Sequence, residues 1–257
     1  MSVKKGSRIL LFDIENSPNL SYTWGKFEQD VIDFQKEWYM LSFAFKWLGD
    51  KTVKAFSLPD FKSYKKDKTD DKELLKELWK LLDEADVVVG HNSNSFDIRK
   101  TNARFIANGF TKPSPYKTVD TLREARKTFF FNSNKLNHLS QLLGFGEKIE
   151  TGGFKLWIEC MSGNMKAWKQ MVKYNKHDVV LLEKLYLTLR PWINNHPNRA
   201  LMDEKERACP TCSSPDVIKQ GFIYSRIGKY QKWQCKNCGA WSQSRVVEKE
   251  YVQSELK

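Results

Sequence analysis

The sequence predicts an α/β protein in which helices flank a mixed β-sheet, followed by a small cysteine-rich module. Three observations support this class: apolar, β-rich segments in the first half, segments with helical periodicity between and after them, and two CxxC pairs near the C-terminus. An early hairpin, followed by a crossover helix that leads into a further buried strand, gives a mixed sheet covered by helices.

The elements follow one another along the chain in a simple order. Apolar or aromatic runs predict strands at residues 8–13, 39–47, 52–57, 86–90 and 118–120. Apolar residues at helical spacing predict helices at residues 71–82, 96–108, 121–128, 136–143, 167–173 and 174–189. Pro191 and Pro197 interrupt the last helical pattern. We therefore expect a first domain at 1–195, a charged linker at 196–208, the cysteine module at 209–247 and a tail at 248–257.

The charge balance narrows the class of partner. The 257 residues include 43 Lys and Arg against 31 Asp and Glu, a formal net charge of +12. Such an excess is typical of proteins that bind a polyanion, and nucleic acid is the first candidate; a basic protein without such a partner is the alternative.

No apolar run reaches the roughly 18 residues of a membrane span. The N-terminus lacks the apolar core of a secretion signal, so we expect a cytoplasmic protein, in the host cytoplasm if it is phage-encoded.

The first predicted strand ends in two acids, Asp13 and Glu15. Side chains two residues apart in a strand point to the same face. Two carboxylates on one side of an apolar strand repel each other and resist burial, and a divalent metal between them is the usual solution. The alternative is that both acids lie past the end of the strand and face water.

Two further segments place acids at informative positions. Asp97 follows a buried strand and a polar loop at a predicted helix start, where an acid is also favoured by the helix dipole. Tyr174 and Asp178 are four residues apart and share one face of a late helix. Together the four carboxylates could converge on two Mg²⁺ or Mn²⁺ ions, which clamp the attacking and leaving oxygens of a phosphodiester. A tyrosine beside the last acid can position or polarise the attacking water.

These motifs resemble those of the DnaQ-like, or DEDD, 3′→5′ exonucleases of the ribonuclease-H-like superfamily. FDIE, HNSNSFD and YNKHD occur in the order found in that family, and the resemblance covers roughly residues 7 to 195. The tyrosine four residues before the last acid is similar to the tyrosine type. The position of the histidine in the histidine type is occupied by Lys173, and we interpret His177 as non-catalytic. The chain resembles the exonuclease domains related to family B polymerases, including stand-alone phage and prokaryotic versions.

The resemblance implies a role for each matching residue. Asp13 would bridge both metals, Glu15 and Asp178 would hold the metal that activates water, and Asp97 would support the second metal. Tyr174 would orient the water. It also implies stepwise hydrolysis of DNA, rather than RNA, from single-stranded 3′ ends with release of nucleoside 5′-monophosphates. Replication, repair or recombination could use this activity, with a DNA polymerase or other replication protein as a candidate partner.

Cys209 and Cys212 form one CxxC pair, and Cys235 and Cys238 form the second. Two such pairs at this separation predict one tetrahedral structural zinc ion, and four sulfur ligands leave no open position for catalysis. A redox pair is the alternative. The module is similar to the zinc ribbons of some transposases and transcription proteins, and so short a segment needs metal to supply much of its folding energy.

Several other residues are candidates for contacts with nucleic acid. In the first domain they lie next to the acid motifs or in a glycine-rich segment: Asn16, Ser17, Asn92, Asn94 and Lys155. In the cysteine module, basic and aromatic residues alternate, as in surfaces that bind phosphates and stack bases: Tyr224, Arg226, Lys229, Lys232 and Trp233. The alternatives are loop formation for the asparagines, a solvated lysine at position 155, and rings that pack the module's own core.

Other positions also have two interpretations. Asp120 either matches an acid often seen in the family or caps a helix. The aromatic run Phe129, Phe130 and Phe131 either stacks on bases or packs in the core, and we expect core packing. Cys160 is interpreted as a buried apolar residue.

A structure-selective endonuclease or an RNA-processing nuclease could use the same fold and metals, since fold does not fix substrate. A non-catalytic zinc-ribbon DNA-binding protein is a third function, although all four acids and the tyrosine are present.

Overall fold

The computed structural model of the chain describes residues 6–27, 30–226 and 228–250, with the side chains of 248–250 excepted. The described residues form two compact units. The N-terminal unit is Arg8–Leu185, and the C-terminal unit comprises the described residues from Tyr186 onwards together with Gly6 and Ser7. The boundary falls earlier than the expected domain end at residue 195, and the predicted tail lies outside the described residues from position 251 on.

A five-stranded mixed sheet occupies the centre of the N-terminal unit. Its strands are β1 (Ile9–Asn16), β4 (Met40–Trp47), β5 (Lys54–Ser57), β6 (Val87–Gly90) and β7 (Lys117–Asp120). They are arranged in the order β5-β4-β1-β6-β7. β1 pairs with β4 antiparallel and with β6 parallel, while β4–β5 is antiparallel and β6–β7 is parallel. This mixed sheet confirms the predicted fold class.

A second, two-stranded sheet consists of β2 (Leu20–Tyr22) and β3 (Asp33–Lys36), which the sequence analysis did not predict. Its strands are too short to show a period in the sequence. Large apolar side chains in and beside this hairpin are exposed, Trp24 and Phe27 to 85% and 91%. The pattern of burial that identifies a strand is therefore absent from this hairpin.

Seven helices lie in the described part of the chain. They are α1 (Lys72–Glu84), α2 (Asp97–Ala107), α3 (Thr121–Thr128), α4 (Leu136–Leu142), α5 (Lys155–Ser162), α6 (Met165–Leu189) and α7 (Arg199–Met202). Short 3-10 helices occur at Leu58–Asp60, Lys62–Lys65 and Arg190–Trp192. α1 is the crossover between β5 and β6, and four of its five leucines, Leu74, Leu75, Leu78 and Leu82, are fully buried. None of these helices is long and apolar enough to cross a membrane.

α6 corrects one prediction. The sequence analysis placed two helices at 167–173 and 174–189, whereas α6 is a single helix of 25 residues. The expected break between Lys173 and Tyr174 has no glycine or proline near it. Buried positions continue across it at Met171, Asn175 and Val179. α5 was not predicted, because apolar residues occupy five of its eight positions and are not confined to one helix face, so no helical period is visible.

The C-terminal unit is built on a three-stranded antiparallel sheet. Its strands are β8 (Val217–Tyr224), β9 (Gly228–Cys235) and β10 (Trp241–Glu250), with β9 in the middle. α7 lies in the segment expected to be a linker. The side chain of Asn198 caps this short helix by accepting a hydrogen bond of 3.0 Å from the Leu201 backbone N–H.

Candidate active site and cysteine cluster

Asp13 and Glu15 lie inside β1 rather than beyond its end. In the pairing with β4, Asp13 is opposite Ala44 and Glu15 is opposite Ser42. β6 pairs only with Ile9–Leu11, so the parallel neighbour ends before it reaches the acids. Both carboxylates are consequently held in partly buried positions on a rigid strand, with the space on one side left open.

Asp178, on α6, completes a compact group of acids. The carboxylates of Asp13, Glu15 and Asp178 can each offer an oxygen such that all these oxygens lie within 4.8 Å of one another. Asp178 is buried, with 2% of its surface exposed. Three carboxylates at this separation suit a shared divalent cation with hard oxygen ligands, and the residues therefore fit the predicted metal.

Asp97 lies beside this group at the start of α2. Its Oδ1 accepts a hydrogen bond of 3.2 Å from the backbone N–H of Ile14, the residue between the two acids of β1. Asp97 is not part of the group within 4.8 Å, but its charge contributes to the raised pKa of Asp13. The structure thus brings all four acids to one edge of the sheet, and three of them form the tighter set.

Burial raises the pKa of every acid in the cluster, and repulsion between cluster acids adds to this for Asp13 and Glu15. Burial is the main cause for Asp13, followed by the charges of Asp97 and Glu15, and its pKa lies well above the usual value. Burial, with the charge of Asp178, raises the pKa of Glu15 to about 8. Burial also raises the pKa of Asp97 to about 7 and that of Asp178. Acids in this state gain from a bound cation, which favours their charged forms.

Lys148 lies within the cluster, and the sequence analysis missed it. Its Nζ donates hydrogen bonds to Asp178 Oδ2 at 2.6 Å and to the Tyr174 hydroxyl at 3.1 Å. Burial opposes the charge on Lys148, but Asp178 and Tyr174 outweigh it and raise the pKa of the ammonium. Burial, then the charge of Asp178, raises the pKa of Tyr174, so its hydroxyl stays protonated. Lys148 follows α4 in an irregular segment, where no periodic signal marks a site residue.

Asn175 is a second residue that the sequence analysis missed. Its Nδ2 donates to Asp13 Oδ2 at 2.7 Å and to the Asp13 carbonyl oxygen at 3.2 Å. The Ser42 hydroxyl donates to Asn175 Oδ1 at 3.2 Å, and the amide is fully buried. Asn175 therefore ties α6 to β1 and β4 and fixes the Asp13 carboxylate. A signal was available, since Asn175 is three residues before Asp178 and on the same helix face.

A groove of about 530 Å³ adjoins Glu15. Aromatic rings form part of its wall: Phe96 is 42% exposed, Phe154 is 57% exposed, and the half-buried Trp157 lines the groove with them. The Lys100 ammonium is 5.3 Å from the centre of the Phe96 ring. Exposed rings and a cation beside an acid cluster suit a strand of nucleic acid, because its bases can stack on the rings while its phosphates contact the positive charge.

The predicted contact residues near this groove fall into different environments. Asn16 lines the groove, and both polar atoms of its side chain are buried without a hydrogen-bond partner in the described part of the chain. Ser17 is 3% exposed, and its hydroxyl accepts a hydrogen bond of 2.9 Å from the Tyr39 backbone N–H. Lys155 is 81% exposed and lies 3.8 Å from Glu159 on the same helix.

Asp120 organises the loop that contains Asn92 and Asn94. Its carboxylate accepts hydrogen bonds from the backbone N–H groups of Asn92 at 2.9 Å and Asn94 at 3.1 Å. It also caps α3 by accepting from the N–H groups of Leu122 and Arg123. Asn92 has a φ of 65°, a left-handed conformation that asparagine tolerates well. The helix-cap and loop-forming interpretations of these residues are confirmed.

The aromatic run after α3 is only partly as expected. Phe129 and Phe131 stack with ring centres 5.1 Å apart and are half-buried, whereas Phe130 is fully exposed. The expectation that all three pack in the core is wrong for Phe130, because its ring faces solvent. Cys160 is fully buried, as predicted, and His177 is directed to the Glu147 carbonyl oxygen at 2.8 Å.

The four predicted zinc ligands form one cluster. The sulfur atoms of Cys209, Cys212, Cys235 and Cys238 all lie within 4.8 Å of one another. Cys209 Sγ is 3.7 Å from Cys238 Sγ, and Cys212 Sγ is 3.6 Å from Cys235 Sγ. A tetrahedral zinc site with Zn–S bonds of about 2.3 Å needs sulfur atoms about 3.8 Å apart, whereas a disulfide needs about 2.05 Å. The cluster therefore fits a structural zinc ion.

No aromatic ring of the described residues belongs to the core around the cysteines. That core consists of Cys209, Cys235 and Ala240, with the other two cysteines and Val217 packed against it. Tyr224 is 73% exposed. Lysines lie over the rings instead, as in the pair Lys229 and Phe222, at 3.7 Å from the ring centre. The interpretation that these rings pack the module's core is wrong for the core around the cysteines, whereas Phe222, Tyr230 and Trp233 are half-buried on the sheet.

Comparisons with known proteins agree with this architecture. A family model described as the RNase_H superfamily matches residues 33–190, a region that includes Asp97, Tyr174 and Asp178 but begins after β1. A search of curated proteins found no match. Among solved structures, the family B DNA polymerase from the hyperthermophilic archaeon Pyrobaculum calidifontis is similar, with a TM-score of 0.52 and 16% identity.

That alignment covers 88% of this chain but only 32% of the polymerase, so the chain spans about a third of its length. At this level of identity the likeness shows a shared fold and nothing about activity. The family model, by contrast, extends over more than half of the chain and over most of the mixed sheet and α6. On this match, the chain belongs to the RNase_H superfamily.

Proposed function

We propose that the protein is a metal-dependent 3′→5′ exonuclease that hydrolyses phosphodiester bonds of DNA at single-stranded 3′ ends by a two-metal mechanism. The observation that carries the proposal is the acid cluster: Asp13, Glu15 and Asp178 have carboxylate oxygens within 4.8 Å of one another, and Asp97 lies alongside. The RNase H-like fold supports a nuclease more broadly.

Asp13, Glu15, Asp97 and Asp178 would hold two Mg²⁺ or Mn²⁺ ions. Divalent ions in such a site supply a Lewis acid for the phosphate and lower the pKa of water. Asn175 keeps the Asp13 carboxylate in place through its hydrogen bond of 2.7 Å. Loss of such a supporting hydrogen bond commonly lowers metal affinity or activity by roughly 10- to 100-fold.

Tyr174 and Lys148 act on the substrate side of the cluster. The Tyr174 hydroxyl remains protonated because its pKa is raised by burial and by Asp178, so it can donate a hydrogen bond to an attacking water and orient it. Lys148 holds that hydroxyl at 3.1 Å and adds positive charge where a phosphate would approach.

The groove beside Glu15 supports an unpaired end as the substrate. Phe96 and Phe154 present exposed rings, and bases can stack on such rings only when they are not stacked within a duplex. Lys100 lies close enough to Phe96 to meet the phosphate of a stacked nucleotide. Asn16, at the end of β1, lines the groove, and its buried polar atoms have no hydrogen-bond partner among the described residues, so a rotation of the side chain would offer them to the terminal sugar or base.

The C-terminal unit is proposed to bind one structural zinc ion through its four cysteines and to contact nucleic acid through its exposed basic and aromatic residues. A polymerase or other replication protein is the candidate partner. DNA is preferred over RNA on the strength of the family resemblance alone.

The test is a cleavage assay with Mn²⁺ on strands labelled at the 5′ end: single-stranded DNA, duplex DNA, DNA with a mismatched end, and RNA. We expect a ladder of single-nucleotide steps from the 3′ end, fastest on single-stranded DNA. Asp13→Ala and Asp178→Ala should abolish it with DNA binding largely retained, while Glu77→Gln, at a surface ion pair of α1, should cleave normally.

Each other outcome would replace the proposal with a specific alternative. Internal cuts would identify an endonuclease, and faster cleavage of RNA would identify an RNA-processing enzyme. Binding of every substrate without cleavage would indicate a non-catalytic protein. Equal loss of binding and cleavage in Asp13→Ala would contradict the metal assignment, because the acids would then act on affinity rather than on chemistry.

A further inference from the structure

The C-terminal unit contains a groove of about 650 Å³, larger than the one beside the acids. The segment 198–210 forms one wall, and the β-sheet forms the other with residues of β9 and β10. Its volume lies within the range of about 300–1,000 Å³ that is usual for ligand sites. Nothing in the sequence indicates this groove, because its two walls are separated along the chain.

The cations of the groove are available to a ligand. Lys205, Arg207 and Arg245 line it, with Glu206 as the accompanying acid. Lys205 donates a hydrogen bond of 3.0 Å to the Ser213 carbonyl oxygen. Among the residues that the structure describes, neither Arg207 nor Arg245 has a hydrogen bond or an ion pair, and both are exposed. Two free guanidinium groups on facing walls form a site for an anion.

The adjoining sheet extends this positive charge. The 31 residues from 217 to 247 contain six Lys or Arg and no Asp or Glu. A short acidic ligand would be satisfied by the groove alone, whereas a stretch of 31 residues without a carboxylate suits a long polyanion that continues past the groove. Charge complementarity therefore favours nucleic acid over an acidic peptide.

Trp233 supplies a surface for a base. It lies on β9 opposite Lys219 of β8 and Ser242 of β10, and its partly buried ring forms part of the groove. The Lys219 ammonium lies 5.6 Å from the ring centre. Trp241, by contrast, is paired with Gln234, the residue after Trp233, so it lies on the opposite face of the sheet and outside the groove.

We propose that this groove binds a single strand of nucleic acid, with a base stacked on Trp233 and phosphates held by Arg207 and Arg245. The inference rests on the part of the proposed function that makes nucleic acid the ligand, but it does not require cleavage. It specifies one face of the cysteine module, and it adds Lys205 and Arg207 to the residues considered from the sequence.

The test measures binding of a fluorescently labelled oligothymidylate to the zinc-loaded full chain by anisotropy, in an Asp13→Ala background so that the strand stays intact. Trp233→Leu should weaken binding roughly 5- to 150-fold, the usual range for one stacked base. Arg207→Ala combined with Arg245→Ala should lower the slope of log affinity against log salt by about 0.7 for each phosphate that the variant no longer neutralises.

Two matched controls lie in the same unit. Trp241→Leu removes an exposed indole from the other face, and Lys236→Ala removes an exposed cation beside the cysteines, and both should weaken binding far less than the groove variants do. Zinc stoichiometry and circular dichroism show whether each variant is folded. Losses in the controls as large as in the groove variants would overturn the groove in favour of charge spread over the whole unit.

Competition distinguishes the two classes of ligand. Polyglutamate in excess should leave oligonucleotide binding nearly unchanged, and binding of polyglutamate instead of the oligonucleotide would overturn the proposal in favour of an acidic protein segment. Normal cleavage by the wild-type chain, together with unchanged affinity in Trp233→Leu, would reject the binding groove and leave the exonuclease proposal standing. Absence of cleavage with weakened binding in Trp233→Leu would reject the exonuclease and keep the groove.

Discussion

The Lys148 ammonium lies 2.6 Å from the Asp178 carboxylate, so the acid cluster contains a cation of its own. Asp178 is 2% exposed in its side chain and Lys148 is 30% exposed, which makes this a largely desolvated pair. A buried carboxylate that loses its partner is left uncompensated, and the remaining acids then repel one another more strongly. Lys148 and a divalent ion therefore serve the same electrostatic need.

We expect Lys148→Gln to destabilise the metal-free protein by about 1–3 kcal/mol, because Asp178 loses a charged hydrogen bond. Added Mg²⁺ or Mn²⁺ should restore more stability in this variant than in the wild type, because no ammonium competes with the ion. Thermal unfolding across a metal titration measures both effects.

Lys46→Gln is the matched control, since Lys46 is also 2.6 Å from a carboxylate, that of Glu183 on α6. Its loss should not be offset by metal. Equal rescue of both variants by Mg²⁺ would show that the ion acts on the whole protein and not at the cluster.

Asn175→Ala should reduce metal affinity and leave the fold intact. The change removes the hydrogen bonds that hold Asp13 and leaves the Ser42 hydroxyl without its partner, at a cost of about 1–3 kcal/mol in the free energy of unfolding. Calorimetric Mn²⁺ titration should show weaker binding by about 10- to 100-fold. Ser42→Ala removes only the hydrogen bond to the Asn175 side-chain carbonyl, so this variant should bind Mn²⁺ almost as the wild type does. An equal loss of Mn²⁺ affinity in Ser42→Ala would mean that altered packing, and not the hydrogen bond to Asp13, causes the effect.

His91 should make the N-terminal unit sensitive to mild acid. Its Nε2 donates to the Asn134 carbonyl oxygen at 2.9 Å, and its Nδ1 lies 2.9 Å from the oxygen of the Thr121 hydroxyl, which donates to the Gly90 carbonyl oxygen at 3.1 Å. Burial lowers the pKa of His91 to about 4, against 6.5 in an unfolded chain. Its contribution is complete above pH 6.5 and is lost as the pH falls towards 4, by up to roughly 3 kcal/mol.

Urea unfolding of the wild type and of His91→Asn at several pH values measures this contribution. The stability difference between the two proteins should shrink as the pH falls from 6.5 to 4. A difference that stays constant over this range would mean that the ring is not held neutral in the folded state.

Removal of zinc should unfold the cysteine module and spare the N-terminal unit. The core around the cysteines contains, besides the four cysteines, only Val217 and Ala240, so little apolar area remains to stabilise the module without metal. Cys235→Ser should lower the zinc content and abolish the protection of β8–β10 in amide hydrogen exchange. Exchange in β1 and β6 should not change, and protection of β9 without zinc would contradict the structural role of the metal.

Periodicity predicted the convergence of three of the four acids, because Asp13, Glu15 and Asp178 lie inside a strand or a helix. Alternation within β1 placed Asp13 and Glu15 on one face, and helical spacing placed Tyr174 and Asp178 together. Lys148 could not be found in this way. It lies in an irregular segment, and its position beside Asp178 results from tertiary folding across 30 residues. The C-terminal groove was hidden for the same reason.

The predicted ends of helices and strands were wrong where the local sequence pattern was weak. Residues 167–189 were divided into two helices although only side-chain chemistry changes there, and the apolar residues of the β2–β3 hairpin showed no burial pattern. The rings of the C-terminal unit were open to two interpretations, because a sequence does not reveal whether cysteines or aromatics occupy a small core. Their exposure became visible only with the strand register.

β1 also limits how the chain can vary in length. Leu10, Phe12 and Ile14 belong to the hydrophobic core, while the alternate positions end in Asp13 and Glu15. Inserting or deleting one residue within this strand would exchange the two sets of side chains, so that core leucines would point at the acid site and carboxylates into the core. Point substitutions can be absorbed here one at a time, but any shift of the pairing register in β1 would remove the site and the fold together.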